Sequence, residues 1–407
     1  MSRKPQDRRT FIKAMAGGAV ALGSSLAGWC GPQQKAPDRA VKDGMAYRRL
    51  GRTGILVSEI SLGSSPLPDP YLLRTIIDRG VNYIDTSHSY DNGNAEREIG
   101  RLIKDAGPDK VRFSTKFHVE PRDTPASIMA SVHGSLRRLG VPTIDVLMIH
   151  GAESASVLVD ERVLEAFERL KEEGAYRFRG LSCHANQDEV VRKAVDCGLY
   201  DAVQIGYNVF DIQEPGRPVE TYPDYLGTSG IRALLDLAHA KDVGVVAMKT
   251  LKVGGRRQDL EKYRTGAASL YQVMLKWVLD DTHVASAVTE ILNRQQMEED
   301  LGAAGAKLAA AERATLVRYV RENGIDYCHG CAGCRRACPE GIDTTAILHA
   351  LAYRESYGKT ERARRAFAAA SFGDKAPVCR DCGACEKACP YGVAVRSRVR
   401  KARSVLA

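Results

Sequence analysis

The chain of 407 residues is informative first through what it lacks. No run of about 18 apolar residues, the length a membrane-crossing helix needs, occurs in it. The mature chain is therefore expected to have no transmembrane segment. No G-x-G-x-x-G turn follows an early strand-like run, so the mark of an open dinucleotide-binding sheet is missing. No flavin site is visible. The last segment, after Pro390, has no acidic residue, although it carries Arg396, Arg398, Arg400, Lys401 and Arg403.

Against these absences stands a surplus of cysteine, arranged as one pattern written twice. Cys328-x-x-Cys331-x-x-Cys334-x-x-x-Cys338-Pro339 is followed by Cys379-x-x-Cys382-x-x-Cys385-x-x-x-Cys389-Pro390. Three thiols two residues apart, then a fourth before proline, is the ligand spacing of a [4Fe–4S] site, with the fourth Cys of each run ligating the other cluster. One cluster is therefore assigned Cys328, Cys331, Cys334 and Cys389, and a second Cys379, Cys382, Cys385 and Cys338. Zinc sites use paired C-x-x-C knuckles, which this pattern is not.

Charge sharpens this picture. Of the formal net charge of +9, residues 1–40 carry five units and the remainder four. The basic tail sits beside thiolate-ligated clusters, which are themselves anionic, so local compensation is favoured over nucleic-acid binding. At the N-terminus, Asp7-Arg8-Arg9-Thr10-Phe11-Ile12-Lys13 resembles the twin-arginine export signal, followed by a weakly apolar stretch from Ala14 to Gly28. Export of a folded, cofactor-loaded chain to the periplasm by the twin-arginine machinery is expected. Cleavage between Trp29 and Ala40 is preferred to lipid attachment at Cys30. The domains read as signal and linker over 1–40, a barrel over 41–310 and a helical cluster-binding region over 311–407.

The middle alternates short strand-type runs with amphipathic helices. Strands are expected at Glu59–Gly63, Val81–Thr86, Arg112–Lys116, Ile144–His150, Arg177–Ser182, Ala202–Tyr207, Val243–Lys249 and His283–Thr289. Eight such runs with helical crossovers suit a closed (β/α)8 TIM barrel, an α/β fold, with Tyr47–Val57 as a hairpin beneath it. Chemistry in such barrels sits at the C-terminal ends of strands. Those positions hold Asp85, Lys116 and His150, with Tyr90 in the loop after Asp85. Together they can deliver a proton to a carbonyl oxygen. Tyr90 is the donor, Lys116 lowers its pKa, Asp85 holds the lysine, and His150 orients the carbonyl.

Gly80-x4-Asp85-Thr86-x3-Tyr90-x5-Glu96-x2-Ile99-Gly100 resembles the aldo/keto reductase signature. Ser135-Leu136-Arg137-Arg138-Leu139-Gly140-x4-Asp145-x4-His150 resembles its second, and Ser114-Thr115-Lys116 its lysine strand. The likeness covers about residues 46–305 and extends to a subfamily with a C-terminal ferredoxin module. The helical patterns at Thr344–Tyr353 and Glu361–Ala370 imply an α-helical ferredoxin-like domain with two [4Fe–4S] clusters.

The resemblance also implies an NAD(P) cofactor. Ser182 and Gln204 match the positions that hold the nicotinamide carboxamide, Met248 stands where an aromatic usually stacks, and Tyr207 and Arg294 are further cofactor candidates. Cys183 replaces the family's Asn, with His184 beside it. Glu290 would repel the 2′-phosphate of NADP, which leaves NAD against NADP open. The expected function is carbonyl/alcohol oxidoreduction on a small, sugar-like substrate, with a redox partner protein for the clusters. The alternative is an exported iron–sulfur electron-transfer protein in which the barrel serves for docking. Tyr222 and Tyr225, in the long loop after Val209, could stack a sugar or simply pack.

Overall fold

The computed structural model describes residues 38–212, 230–251, 258–324, 327–355, 358–370 and 379–407. The export-type segment with Arg8, Arg9 and Cys30, and the loop with Tyr222 and Tyr225, lie outside them.

Strands buried along almost their whole length must be covered on both faces, which is the condition of a parallel sheet inside a ring of helices. Strands β4 (Ile60–Gly63), β5 (Tyr83–Asp85), β6 (Arg112–Phe117) and β7 (Ile144–Ile149) are followed by β8 (Tyr176–Cys183), β9 (Ala202–Gly206), β10 (Gly244–Met248) and β11 (Ser286–Thr289). Each pairs in parallel with the next, and β11 pairs with β4, so the sheet closes into the expected eight-stranded barrel. Helices α1 (Pro70–Asp78), α2 (Asn94–Ala106), α3 (Pro125–Leu139), α4 (Glu161–Glu172), α5 (Gln187–Cys197), α6 (Gly230–Ala240), α7 (Leu270–Asp280) and α8 (Arg294–Leu301) lie outside it. Several start where a side chain satisfies the free N–H groups of the first turn, as Asp69, Asp160 and Ser269 do.

Below the barrel the expected hairpin is present as β2 (Met45–Arg49) and β3 (Leu56–Ser58). A third strand, β1 (Arg39–Lys42), pairs antiparallel with β2. Its mostly exposed side chains leave no apolar alternation to betray it. Leu50, Ile55 and Val57 rise from this sheet to meet Tyr83, Val146 and Val246 inside the barrel, so the bottom is plugged. Gly51 is needed here, because a Cβ on it would lie 2.2 Å from the Gly244 nitrogen.

The segment after residue 310 stays in contact with the barrel. Helix α9 (Ala310–Asn323) packs its Leu316, Tyr319 and Val320 into the barrel core, and Tyr327 joins them. Lys276 on α7 bonds Glu312 on α9 at 2.6 Å. The separate helical module begins only after this, with α10 (Gly333–Arg336), α11 (Thr344–Glu355), α12 (Thr360–Ala370), α13 (Ala384–Lys387) and α14 (Val395–Leu406). Barrel and module belong to one compact unit. Among the described residues no helix is long and apolar enough to cross a membrane.

Candidate active site and cluster sites

Four side chains converge at the barrel's C-terminal mouth. Lys116, buried on β6, donates from Nζ to Asp85 Oδ1 at 2.6 Å and to the Thr86 carbonyl at 2.8 Å. Ser114 donates to the same carboxylate oxygen at 2.7 Å. The ammonium lies 5.3 Å from the centroid of the Tyr90 ring. His150, one residue past β7, meets the Tyr90 ring edge-on with centroids 5.7 Å apart. Asp85 and Tyr90 line the mouth cavity, and Lys116 and His150 stand behind them.

The turn that carries Tyr90 is held by the other residues of the signature. Asp91, Asn92 and Gly93 all have positive φ, which Asp, Asn and Gly tolerate best. Buried Glu96 accepts from Arg138 Nε at 2.6 Å and from the Thr115 hydroxyl at 2.5 Å, tying α2 to α3 and to the lysine strand. A Cβ at Gly93 would fall 2.8 Å from Arg138 Cδ, so the glycine lets the turn lie on that strut.

The electrostatics correct one expectation. Burial raises the Tyr90 pKa and outweighs Lys116, whose charge pulls it down; Asp85 raises it further. Tyr90 is thus a phenol at neutral pH and a proton donor, with Lys116 placed to stabilise the phenolate left after donation. Burial alone would lower the Lys116 pKa, but Asp85 and then Tyr90 raise it overall, so the lysine stays charged. His150 is held neutral by burial and then by Lys116 and neighbouring histidines. Its Nδ1 lies 3.1 Å from the Ser87 hydroxyl; if it accepts there, the remaining ring proton sits on Nε2.

The cavity holds about 310 Å³, at the small end for ligand pockets. Gln204 and Met248 line it. The Gln204 side chain is buried on the cavity wall, where its amide can face a carboxamide. Ser182 does not line it; its hydroxyl accepts from Gly151 N–H at 3.1 Å and lies 3.4 Å from the Ile149 carbonyl.

Tyr207 is corrected. It lies an odd number of residues after Gln204 and so faces the helices, where it packs on Trp277 and donates to Asp281 at 3.3 Å. Arg294 is exposed at the start of α8 and does not line the cavity. Cys183 is fully buried, 2.9 Å from the Ala185 carbonyl, and burial pushes its pKa up to about 12, so it is no ready nucleophile.

Sequence reasoning passed over Lys249, although it ends an expected strand, and over His349, Tyr353, Lys359 and Arg362. These last four reach the cavity from α11, α12 and the turn between them. Lys359 pairs with Glu290, the residue after β11, and bonds the Ser65 carbonyl at 3.3 Å, so the module roofs the barrel mouth.

Inside the module the eight cysteines fall into two groups. Cys328, Cys331, Cys334 and Cys389 surround one pocket. Cys338, Cys379, Cys382 and Cys385 surround another. None of the eight is in a disulfide. The two runs repeat their backbone: Gly330 and Asp381, Ala332 and Gly383, and Gly341 and Gly392 all have positive φ at matching positions. Four thiols around each of two pockets is a donor set that fits a cubane cluster. The first pocket adjoins the barrel, where Asn186 N–H donates to the Gly330 carbonyl at 2.8 Å and Asn208 to the Tyr327 hydroxyl at 2.7 Å.

Comparison with known proteins agrees with this division. The aldo/keto reductase family model matches residues 69–267, and a 4Fe-4S dicluster domain matches residues 327–394. The uncharacterized oxidoreductase YqkF of Bacillus subtilis (strain 168) is 27% identical over 317 residues, which is 70% of this chain and 99% of that protein. An aldo-keto reductase from Klebsiella pneumoniae, solved in complex with NADPH, superposes with a TM-score of 0.52 at 23% identity, over 67% of this chain and 94% of that one. The holo form of AKR11C1 from Bacillus halodurans gives 0.50 at 23% identity, over 67% and 95%. At that identity the two structures establish the barrel fold.

Proposed function

We propose that this chain, an aldo/keto reductase domain joined to a 4Fe–4S dicluster domain, is an oxidoreductase that interconverts a carbonyl and an alcohol. The observation that carries the reading is the buried Asp85–Lys116 pair set beneath Tyr90, which opens on the cavity. Reduction builds negative charge on the substrate oxygen, and Tyr90 Oη delivers the proton. Lys116 stabilises the phenolate that results, and Asp85 keeps the lysine charged and in place. Neutral His150 donates a hydrogen bond that orients the carbonyl. A nicotinamide held at Gln204 and Met248 supplies or takes up the hydride. The module's roof over the mouth supports a cofactor that stays bound while the redox cycle closes on the substrate. The NADPH bound by the Klebsiella neighbour supports a nicotinamide cofactor.

Two [4Fe–4S] clusters, on the ligand sets named above, hold the module in this reading. They move single electrons while hydride moves two, so they take no direct part in the transfer. We further propose that the chain is exported by the twin-arginine route and works in the periplasm.

The test uses anaerobically purified, cluster-replete protein. Denaturation should release stoichiometric NAD or NADP, identified by mass spectrometry, and Tyr90→Phe should abolish turnover with the cofactor still present. Two intact clusters with no released nucleotide and no turnover would move the assignment to electron transfer.

A further inference from the structure

The cavity beside Tyr90 carries more positive charge than its carboxylates neutralise. Two carboxylates face it, and each is already taken: Asp85 by Lys116 and Glu290 by Lys359. Two more cations face the same space, Lys249 from the end of β10 and Arg362 from α12. The Lys249 ammonium makes no hydrogen bond or ion pair among the described residues, and Arg362 forms no ion pair there. Among the described residues the Arg362 guanidinium reaches the Ser65 hydroxyl, at 3.5 Å, and the face of the Tyr353 ring, 4.5 Å from its centroid.

The placement of Lys249 is imposed by its surroundings. Its backbone is left-handed, φ 57°, a conformation that a residue with a side chain seldom adopts. Its stem runs past Gly206, where a Cβ would stand 3.8 Å from Lys249 Cδ. Burial pulls its pKa down to about 8; Cys183 and Glu153 oppose that, and Arg362 adds to it. Arg362 also lies close enough to Tyr90 for its charge to favour the phenolate. Both cations are partly exposed to the cavity, and an anion brought to them is held more strongly there than in open water because the local dielectric is lower. Neutral sugar hydroxyls would leave both charges uncompensated.

We infer that Lys249 and Arg362 form an oxyanion subsite in the carbonyl cavity, and that it takes the carboxylate of an acid substrate, a hydroxy or oxo acid. The reaction assigned to that substrate rests on the proposed oxidoreductase function; its binding does not. One cation belongs to the barrel and the other to the module, so the subsite is complete only when the module is docked. This gives the appended domain a role in recognition.

The test is calorimetric titration of the cluster-replete full chain with matched pairs of acid and alcohol: glycolate and ethylene glycol, glycerate and glycerol, gluconate and glucitol. At least one acid should bind about tenfold or more tightly than its alcohol, and Lys249→Gln and Arg362→Gln should each remove most of that preference. Cluster absorbance reports that each variant's module is folded, and Arg362→Lys should restore part of the preference. The inference is overturned if no acid is preferred, or if the preference survives both substitutions.

Titration with pyrophosphate, and nucleotide content after denaturation, separate the other source of an oxyanion. If the substitutions lower those two and leave acid binding unchanged, the cations serve a dinucleotide's phosphates and the substrate assignment falls. Tyr90→Phe protein should keep the acid preference while losing turnover. An acid that binds but is never turned over by the parent protein would sink the proposed reaction and leave the subsite standing.

Discussion

The barrel and the helical module fill their cores with different material. Inside the barrel, Leu50, Val57, Val146, Met148 and Val246 meet in one apolar interior, and a second, larger layer packs between strands and helices. The module's core is a small cluster around Ile347, Leu348, Leu351, Phe367, Val399 and Leu406, with cysteines packed along its edge. A core of the first kind supports itself through apolar burial. One of the second kind is expected to be too small to do so and to rely on what its thiols hold. The contrast proposed is between a region whose stability is hydrophobic and a region whose stability is ligation.

The sharpest way to break this contrast is to remove the clusters. Oxidative destruction followed by chelation should unfold the module, because structural metal binding and folding are one equilibrium. Limited proteolysis should then cut within residues 328–407 and leave a resistant barrel fragment ending near Tyr327. A module equally resistant with and without clusters would show that its apolar core suffices.

The next effect in size concerns the barrel's own polar site. Tyr90→Phe should lower kcat by about 10²–10⁴-fold, the usual worth of a positioned proton donor. It should leave Tm and cluster content near those of the parent. Asp85→Asn should act differently, because it strips the partner from buried Lys116. A loss of about 3–5 kcal/mol in unfolding free energy is expected, with activity falling alongside. If both variants lost only activity, the Asp85–Lys116 pair would have no structural weight.

A smaller effect separates the regions by pH. Burial holds His118, His150 and His184 below their ordinary pKa. In the unfolded chain each titrates near 6.5. As pH falls through that value the unfolded state takes up protons that the folded barrel refuses, so stability is present above about pH 6.5 and lost below it. The slope is about 1.4 kcal/mol per pH unit for each imidazole fully charged only when unfolded. Denaturant unfolding at pH 5 to 7 should show His150→Gln with a slope shallower by about one proton. Both proteins carry the same clusters, so acid damage to these cancels. An unchanged slope would mean that His150 protonates in place.

These differences also decide what was legible in the sequence. The barrel strands announce themselves as short apolar runs, and their C-terminal ends yield Asp85, Lys116 and His150. The cysteine spacing carries the two ligand sets because the chemistry is local in the chain. Strand β1 is not legible, since it is four residues long and its mostly exposed side chains show no apolar alternation. That α9 packs on the barrel is not legible, because it looks like any helix until its contact with α7 is known. Tyr207 follows Gln204 by an odd number of residues, and the period of two along β9 already turns it away from that side chain. The Tyr90 pKa went astray because a sequence shows an ammonium nearby but not the burial that outweighs it. Lys359 and Arg362 could not be foreseen, as nothing in α12 announces where that helix docks.

The smallest expected effect lies at that dock. Lys359 joins Glu290 and the Ser65 carbonyl, and both charged partners remain partly exposed. Ion pairs in that setting contribute about 0–1 kcal/mol, because water screens them and two long side chains must be ordered to form them. Lys359→Gln should therefore change unfolding free energy by less than about 1 kcal/mol, with the roof still in place. Its larger signature should be kinetic, since the same contact closes the cavity beside Tyr90: nucleotide release should quicken while stability hardly moves. Hydrogen exchange of α12 can tell the two apart. If exchange across α12 rises to that of an open helix in this variant, the bridge is what seats the module, and the barrel and module are two bodies joined at a single charge. If it does not, seating is shared with the cluster-proximal contacts at Asn186 and Asn208, and the roof is held mainly where the first cluster pocket meets the barrel.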